Sequence, residues 1–186
     1  MTPDRLTAAD VARICGVDLK TIHNWANKGK IPCTRTEGRH LRFRRLEIIE
    51  FLRSYSFAVP DSLRHARPRV VIADAEAGLA AKRALGKRFE IDAYAGIVEA
   101  LVAIGARDPD ALVIDVPSAD VTAIDALACV EALRASPKTR HVRIVVTSAD
   151  EEARERALAA GAAAFVRKPV TPKLREILEE LTGLTR

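Results

Sequence analysis

Hydrophobic positions along the chain follow two different rhythms. From Arg69 onward, short runs with no polar interruption alternate with stretches of helical period. Four of these runs are Val70–Ala73, Ala111–Ile114, Ile144–Val146 and Ala164–Val166. Apolar runs of this length, bounded by turn residues, are expected of strands buried on both faces. The pattern predicts strands over 69–73, 89–93, 111–115, 142–147 and 163–167. It predicts helices over 76–86, 95–105, 122–135, 150–159 and 171–182. Strands and helices alternating in this way imply an α/β domain, a doubly wound five-stranded parallel sheet.

The first third of the chain reads differently. Thr7 is an N-cap candidate with Asp10 in the first turn, and Ala9, Val11, Ala12, Ile14 and Cys15 supply an apolar face. Gly16 and Val17 make a turn, and Asp18 caps a second helix with Ile22, Trp25 and Ala26 on one side. Lys20, Thr21, His23, Asn24 and Asn27 occupy the other side. Gly29 stops that helix and Ile31 begins an extended segment. Residues 34–45 alternate around Gly38 as a hairpin does. A last helix turns Leu46, Ile49, Phe51 and Leu52 inward. Between Ser54 and Pro68 the period lapses around Pro60. The expected organisation is therefore a small domain over 1–53, a linker over 54–68 and an α/β domain over 69–186. Tyr55, Phe57, Val59 and Leu63 are too apolar for a free tether, so part of the linker should dock on one of the domains.

Composition narrows the function classes. No apolar run approaches the roughly 20 residues that span a bilayer, and the first residues lack the apolar core of a signal peptide. No membrane partner and a cytoplasmic location are expected. Cys15, Cys33 and Cys129 are odd in number and widely spaced, which suits neither a disulfide framework nor a zinc cluster. The net charge of +5 is unevenly placed. Residues 1–68 hold 13 Lys+Arg against 7 Asp+Glu, and the rest hold 17 against 18. The excess points to a polyanion partner for the N-terminal third alone.

Candidate chemistry lies at the ends of the apolar runs. Asp74, Asp115, Thr147 and Lys168 each follow one, and in a parallel sheet the carboxyl ends of the strands form the site. Two carboxylates, a hydroxyl and an ammonium suit a divalent cation and a transferable phosphoryl group. No second catalytic constellation is visible, and an independent enzyme is not expected.

Two resemblances extend this reading. Over residues 6–53, the run from Leu6 to Val17, then Thr21 to Trp25, Gly29 to Pro32 and Gly38 to Arg44, resembles the winged helix-turn-helix of MerR and excisionase-like DNA-binding proteins. The resemblance implies that the helix after Asp18 enters the major groove of double-stranded DNA. Lys20, Thr21, His23 and Asn24 would then contact bases and phosphates. Lys28, Arg39, His40, Arg42 and Arg44 would add contacts from the wing.

Over 69–183, Asp74 to Glu76, Asp110 with Asp115, Thr147 with Ser148, Ala160 to Ala162 and Lys168 with Pro169 resemble the receiver domain of two-component response regulators. That resemblance implies phosphorylation of Asp115 by a sensor histidine kinase, with Asp74, Thr147 and Lys168 in support. It implies Mg²⁺ held by Asp74 and Asp115, and a switch through Thr147 and Phe165. The Lys168–Pro169 bond is expected to be cis.

Three departures accompany it. Ala75 stands where a second acid is usual, which weakens Mg²⁺ binding. Pro117 and Asp125 are displaced within the loop after Asp115. Phe165 stands where Tyr is common. The whole reads as a DNA-binding transcription regulator of the two-component type and a homodimer; the charged faces of the helices over 150–159 and 171–182 suit either reciprocal salt bridges across a two-fold axis or solvated surfaces. The alternative is a degenerate receiver acting as a phosphorylation-independent interaction or dimerisation platform.

Overall fold

The computed structural model describes residues 5–64, 67–74, 78–116, 125–169 and 172–184. The chain divides into two compact units, one up to Ala66 and one from Arg67.

The N-terminal unit begins with β1 (Arg5–Thr7), followed by α1 (Ala8–Cys15) and α2 (Leu19–Asn27). Strands β2 (Thr34–Arg35) and β3 (Leu41–Arg44) come next, then α3 (Arg45–Ser54) and the short α4 (Asp61–Arg64). Local chemistry accounts for the helix ends. Thr7 and Asp10 form a reciprocal capping box. Gly16 closes α1 at a φ of 66°, a left-handed conformation that glycine adopts without a Cβ penalty. The Asp18 carboxylate then accepts from the Thr21 amide at 2.6 Å to start α2. Hydrogen bonds from the Thr21 amide and then its side chain hold the Asp18 carboxyl below its ordinary value.

The buried face of α1 is Ala8, Val11, Ala12 and Cys15. Ala8 takes the place expected for Ala9, because the helix begins directly after its Thr7 cap. Strand β1 has no counterpart in the sequence reading. It pairs antiparallel with β3, making a three-stranded sheet in the order β1-β3-β2. Leu6, Leu41 and Phe43 enter the core from this sheet, with Ile22, Ile48, Ile49 and Leu52 from the helices.

Val59 and Leu63 belong to the same core, although they lie within the stretch read as linker. Phe57 stacks on Phe51, and buried Arg45 donates to the Leu63 carbonyl at 3.1 Å. The segment after α3 thus docks on the N-terminal unit.

The C-terminal unit alternates strands with helices. Its strands are β4 (Arg69–Ala73), β5 (Glu90–Tyr94), β6 (Ala111–Asp115), β7 (Arg143–Ser148) and β8 (Ala164–Arg167). Its helices are α5 (Gly78–Leu85), α6 (Ile97–Arg107), α7 (Ala126–Ala135), α8 (Ala153–Ala159) and α9 (Lys173–Leu181). All strand pairs are parallel, in the order β5-β4-β6-β7-β8. Side chains alternate across the sheet. Val71, Leu112, Ile114, Ile144, Val146 and Phe165 pack toward α6, α7 and α8. Val70, Ile72, Val113, Val145 and Val166 pack toward α5 and α9. Both faces are covered, which is why these strands read as unbroken apolar runs.

Helix α8 begins later than its apolar period implied, because turn chemistry takes the first residues. Asp125 caps α7 through the Leu127 amide, and Ser148 and Asp150 accept from the amides of Asp150 and Glu152 before α8. Gly161, at a φ of 99°, turns the chain from α8 toward β8; a Cβ there would lie 2.9 Å from Arg134 Cγ.

Leu63→Ala should destabilise the N-terminal unit by about 2–5 kcal/mol, the usual cost of removing a buried leucine side chain. Urea unfolding followed by Trp25 fluorescence checks this. A tether residue outside the core would leave the midpoint unchanged.

Candidate functional site

Parallel register assembles the C-terminal cluster. Ala73 pairs with Ile114 in register, and Asp115 with Thr147. The Asp74 amide continues the ladder by donating to the Tyr94 carbonyl at 3.2 Å, and the Lys168 amide donates to the Ser148 carbonyl at 2.8 Å. Four side chains therefore leave the same edge of the sheet. The Lys168 ammonium lies 2.8 Å from Asp115 Oδ2 and 3.2 Å from Asp74 Oδ2. Thr147 Oγ1 lies 3.4 Å from Asp115 Oδ1 and equally far from the Ile114 carbonyl oxygen. Asp74 and Thr147 are buried, whereas Asp115 and Lys168 remain partly open to solvent. The Lys168–Pro169 peptide bond is cis.

Burial is the largest influence on the Asp115 carboxyl and pushes it above its ordinary value. The hydrogen bond and charge of Lys168 oppose that rise, Asp74 adds repulsion, and Thr147 again opposes. For Lys168 burial acts downward, but the hydrogen bonds and charges of Asp115 and Asp74 outweigh it and hold the ammonium above its ordinary value. The cluster is thus a partly exposed carboxylate with a built-in cation on one side and a hydroxyl on the other.

Mg²⁺ requires a near-octahedral set of oxygen donors. Asp74 and Asp115 supply two carboxylates, but both already share the Lys168 ammonium. Among the described residues no group of three or more His, Cys, Asp or Glu side chains could hold a metal ion. Ala75 and Glu76 lie outside the described residues, as do Pro117 and the rest of 117–124. The described side chains alone do not fit a dedicated Mg²⁺ cage.

Phe165 is buried in the core, with the Arg154 guanidinium 5.0 Å from its ring centroid. Among the charged residues of the last two helices and the turn before α8, Arg154 pairs with Glu151, and Glu179 with Arg88. Those pairs lie within the unit. Burial raises the thiol pKa of Cys15, Cys33 and Cys129.

The basic residues of the N-terminal unit fall into separate groups. Lys20 and Asn24 are exposed on α2, with Thr21 and His23 partly covered. Lys28 follows at the helix end. Arg39 and His40 form the turn between β2 and β3, closed by the Arg39 amide on the Thr36 carbonyl at 2.8 Å. The left-handed residue there is Arg39, at a φ of 60°, and not Gly38. Arg42 and Arg44 alternate with buried Leu41 and Phe43, so they occupy the outer face of the sheet. Trp25 packs against Phe51, with ring centroids 5.4 Å apart, as a core residue would.

Sequence reasoning missed Arg5. Strand β1 places it directly across from Arg44, and it donates to Thr34 Oγ1 at 2.9 Å. A three-residue strand with one buried side chain offers no period to detect.

A family model for a helix-turn-helix domain matches residues 5–56. No curated protein matches the chain. Among solved structures, the chain resembles a candidate response regulator from Chloroflexus aurantiacus at 26% identity and a TM-score of 0.55. That likeness covers 63% of this chain and 99% of the other. A response regulator from Thermotoga maritima matches at 22% identity, a TM-score of 0.55 and the same coverage. A chemotaxis response regulator of Vibrio cholerae matches at 20% identity and a TM-score of 0.55, covering 62% of this chain and 99% of its own.

The charges of the cluster determine its response to mutation and pH. A raised acid binds its proton more tightly when folded, so ionising Asp115 costs stability as pH rises through the ordinary carboxylate value. A raised lysine contributes stability below its ordinary value and loses it as pH rises through the folded value. At neutral pH, Lys168→Met should destabilise the C-terminal unit by about 2 kcal/mol, less than the full cost of breaking a buried pair because Lys168 is partly exposed. The deficit should shrink as pH falls and Asp115 takes up a proton, and adding Asp115→Asn should recover part of it. Urea midpoints at pH 7.5 and pH 5 test this, and equal deficits at the two values would contradict it.

The chain therefore joins an N-terminal helix-turn-helix domain to a C-terminal domain of the response-regulator receiver fold.

Proposed function

We propose that the chain is a DNA-binding transcription regulator whose receiver domain controls dimerisation or DNA affinity through Asp115. The observation that carries this reading is the convergence of Lys168 and Thr147 on Asp115, in a chain that also bears a basic helix-turn-helix. A carboxylate can attack a phosphoryl group when the charge it meets is neutralised. An oxygen of Asp115 would form the new bond to phosphorus, and the donor's leaving group would depart with the electron pair. Lys168 would neutralise charge on both partners. The Thr147 hydroxyl would transfer its hydrogen bond to a phosphoryl oxygen, and buried Asp74 would keep Lys168 in place. Phe165 is the candidate aromatic partner of Thr147 in the response. A sensor histidine kinase is the fitting phosphodonor, and a homodimer the fitting assembly.

In the DNA reading, α2 enters the major groove. Lys20, Thr21, His23 and Asn24 face bases and phosphates, and Lys28, Arg39, His40, Arg42 and Arg44 add backbone contacts. Among the described residues, no helix is long and apolar enough to cross a membrane. A cytoplasmic location goes with this function.

A second reading has a specific observation in its favour. Ala75 removes one acid from the expected set, and Lys168 already satisfies both remaining carboxylates. A domain in that state serves as a constitutive interaction or dimerisation platform without phosphorylation. Incubation with a small phosphodonor and Mg²⁺ separates the two. The phospho-switch predicts an acyl phosphate on Asp115, seen by intact mass and lost in Asp115→Ala. Absence of the adduct, even after Ala75→Asp, leaves the platform.

Replacing Arg39 and Arg42 together with alanine should weaken DNA binding. If both neutralise phosphates, the slope of log affinity against log salt should fall by about 1.8, from roughly 0.9 per contact on duplex DNA. Fluorescence anisotropy across a salt series measures it; an unchanged slope would remove both residues from the interface.

A further inference from the structure

Arg35 differs from the other arginines of the wing. Register places it opposite Leu41, whereas Thr34 lies opposite Arg42. Residues paired across a sheet share a face. Arg35 therefore leaves the strand on the side of buried Leu41, away from the outer face that carries Arg42 and Arg44. Its guanidinium is engaged at both ends: Nη2 donates to Asn27 Oδ1 at 2.8 Å, and Nη1 donates to the Arg39 carbonyl at 3.4 Å. Asn27 is the last residue of α2, and Arg39 is the left-handed residue of the wing turn. One planar side chain thus spans the end of the candidate recognition helix and the tip of the wing.

Resting on the DNA-binding reading, we infer that Arg35 is a positioning residue that fixes the wing turn relative to α2, and that it does not itself neutralise a phosphate. Its fork geometry is what the two acceptors require. A lysine keeps the charge but presents a single point of donation and cannot reach both acceptors in one plane. The left-handed backbone at Arg39 makes the tie useful, because a non-glycine residue persists in that conformation only where its surroundings hold it. With the tie in place, helix and wing meet one duplex in a fixed orientation. Without it, each binding event must first order the wing turn, and affinity falls although no phosphate contact is lost.

The two roles separate by salt dependence. A phosphate contact contributes about 0.9 to the slope of log affinity against log salt, whereas a positioning contact contributes nothing to it. The experiment uses the full-length protein and a 30-base-pair duplex that it selects from a randomised pool, followed by anisotropy over a salt series. Arg35→Lys and Asn27→Ala should each weaken binding roughly fivefold to tenfold at fixed salt, with the wild-type slope retained. The double variant should be no weaker than either single one, because both remove the same contact. Thermal midpoints should match wild type, since Asn27 is an exposed helix-end residue. Arg39→Asn, which suits the left-handed backbone while removing the charge, serves as the phosphate control and should lower the slope.

Wild-type affinity in Arg35→Lys, together with a slope reduced by about 0.9 in Arg35→Ala, would overturn the positioning role and make Arg35 an ordinary phosphate contact. Additive losses in the double variant would also overturn it, since Asn27 would then act on DNA independently. Failure of the wild-type protein to bind any duplex would overturn the DNA-binding reading itself, and the role of Arg35 with it.

Discussion

The candidate site depends on the register of a parallel sheet. Each of β4, β6, β7 and β8 is buried on both faces, so its side chains leave little room to slide: a shift by one residue would exchange the two cores it serves. Because the register is fixed, the residues that end these strands emerge side by side. Asp115 lies beside Thr147, and Lys168 reaches across to both carboxylates. The hydrophobic packing of Ile114, Val146 and Phe165 is thus what holds an ionisable group about 3 Å from its partners.

The charge arrangement at that edge is self-contained. Lys168 serves both Asp74 and Asp115, one buried and one accessible. An accessible carboxylate beside a cation is suited to accept an anionic group, while the buried carboxylate is suited to hold the cation.

In the N-terminal unit, positive charge and structural engagement must be considered together. Seven Lys and Arg residues lie between Lys28 and Arg45, yet they are not equivalent. Arg45 is buried and holds the Leu63 carbonyl, and Arg35 bridges Asn27 and Arg39. Arg42 and Arg44 face outward from the sheet. The Arg35 guanidinium ties two separate elements together, whereas Arg42 reaches only the carbonyl of its own neighbour Leu41, at 3.0 Å. Counting charges along the sequence cannot make that distinction.

The sequence by itself determined the elements whose signal is local or periodic. Caps at Thr7 and Asp18, the stop at Gly16 and the four apolar runs were legible because each depends on neighbours within one turn or on an unbroken stretch within one strand. The four residues of the candidate cluster were legible for the same reason, since the end of an apolar run is a position in sequence. Tertiary structure decided what depends on distant partners. Strand β1 exists only because β3 pairs with it. Val59 and Leu63 became core because α3 offers Arg45 and an apolar face. The left-handed turn fell on Arg39 and not on Gly38. Arg35 acquired its partners through a strand register and a helix end eight residues away. Local propensity and hydrophobic period are written along the chain, but a side chain's partners are fixed only once packing has brought separate elements together.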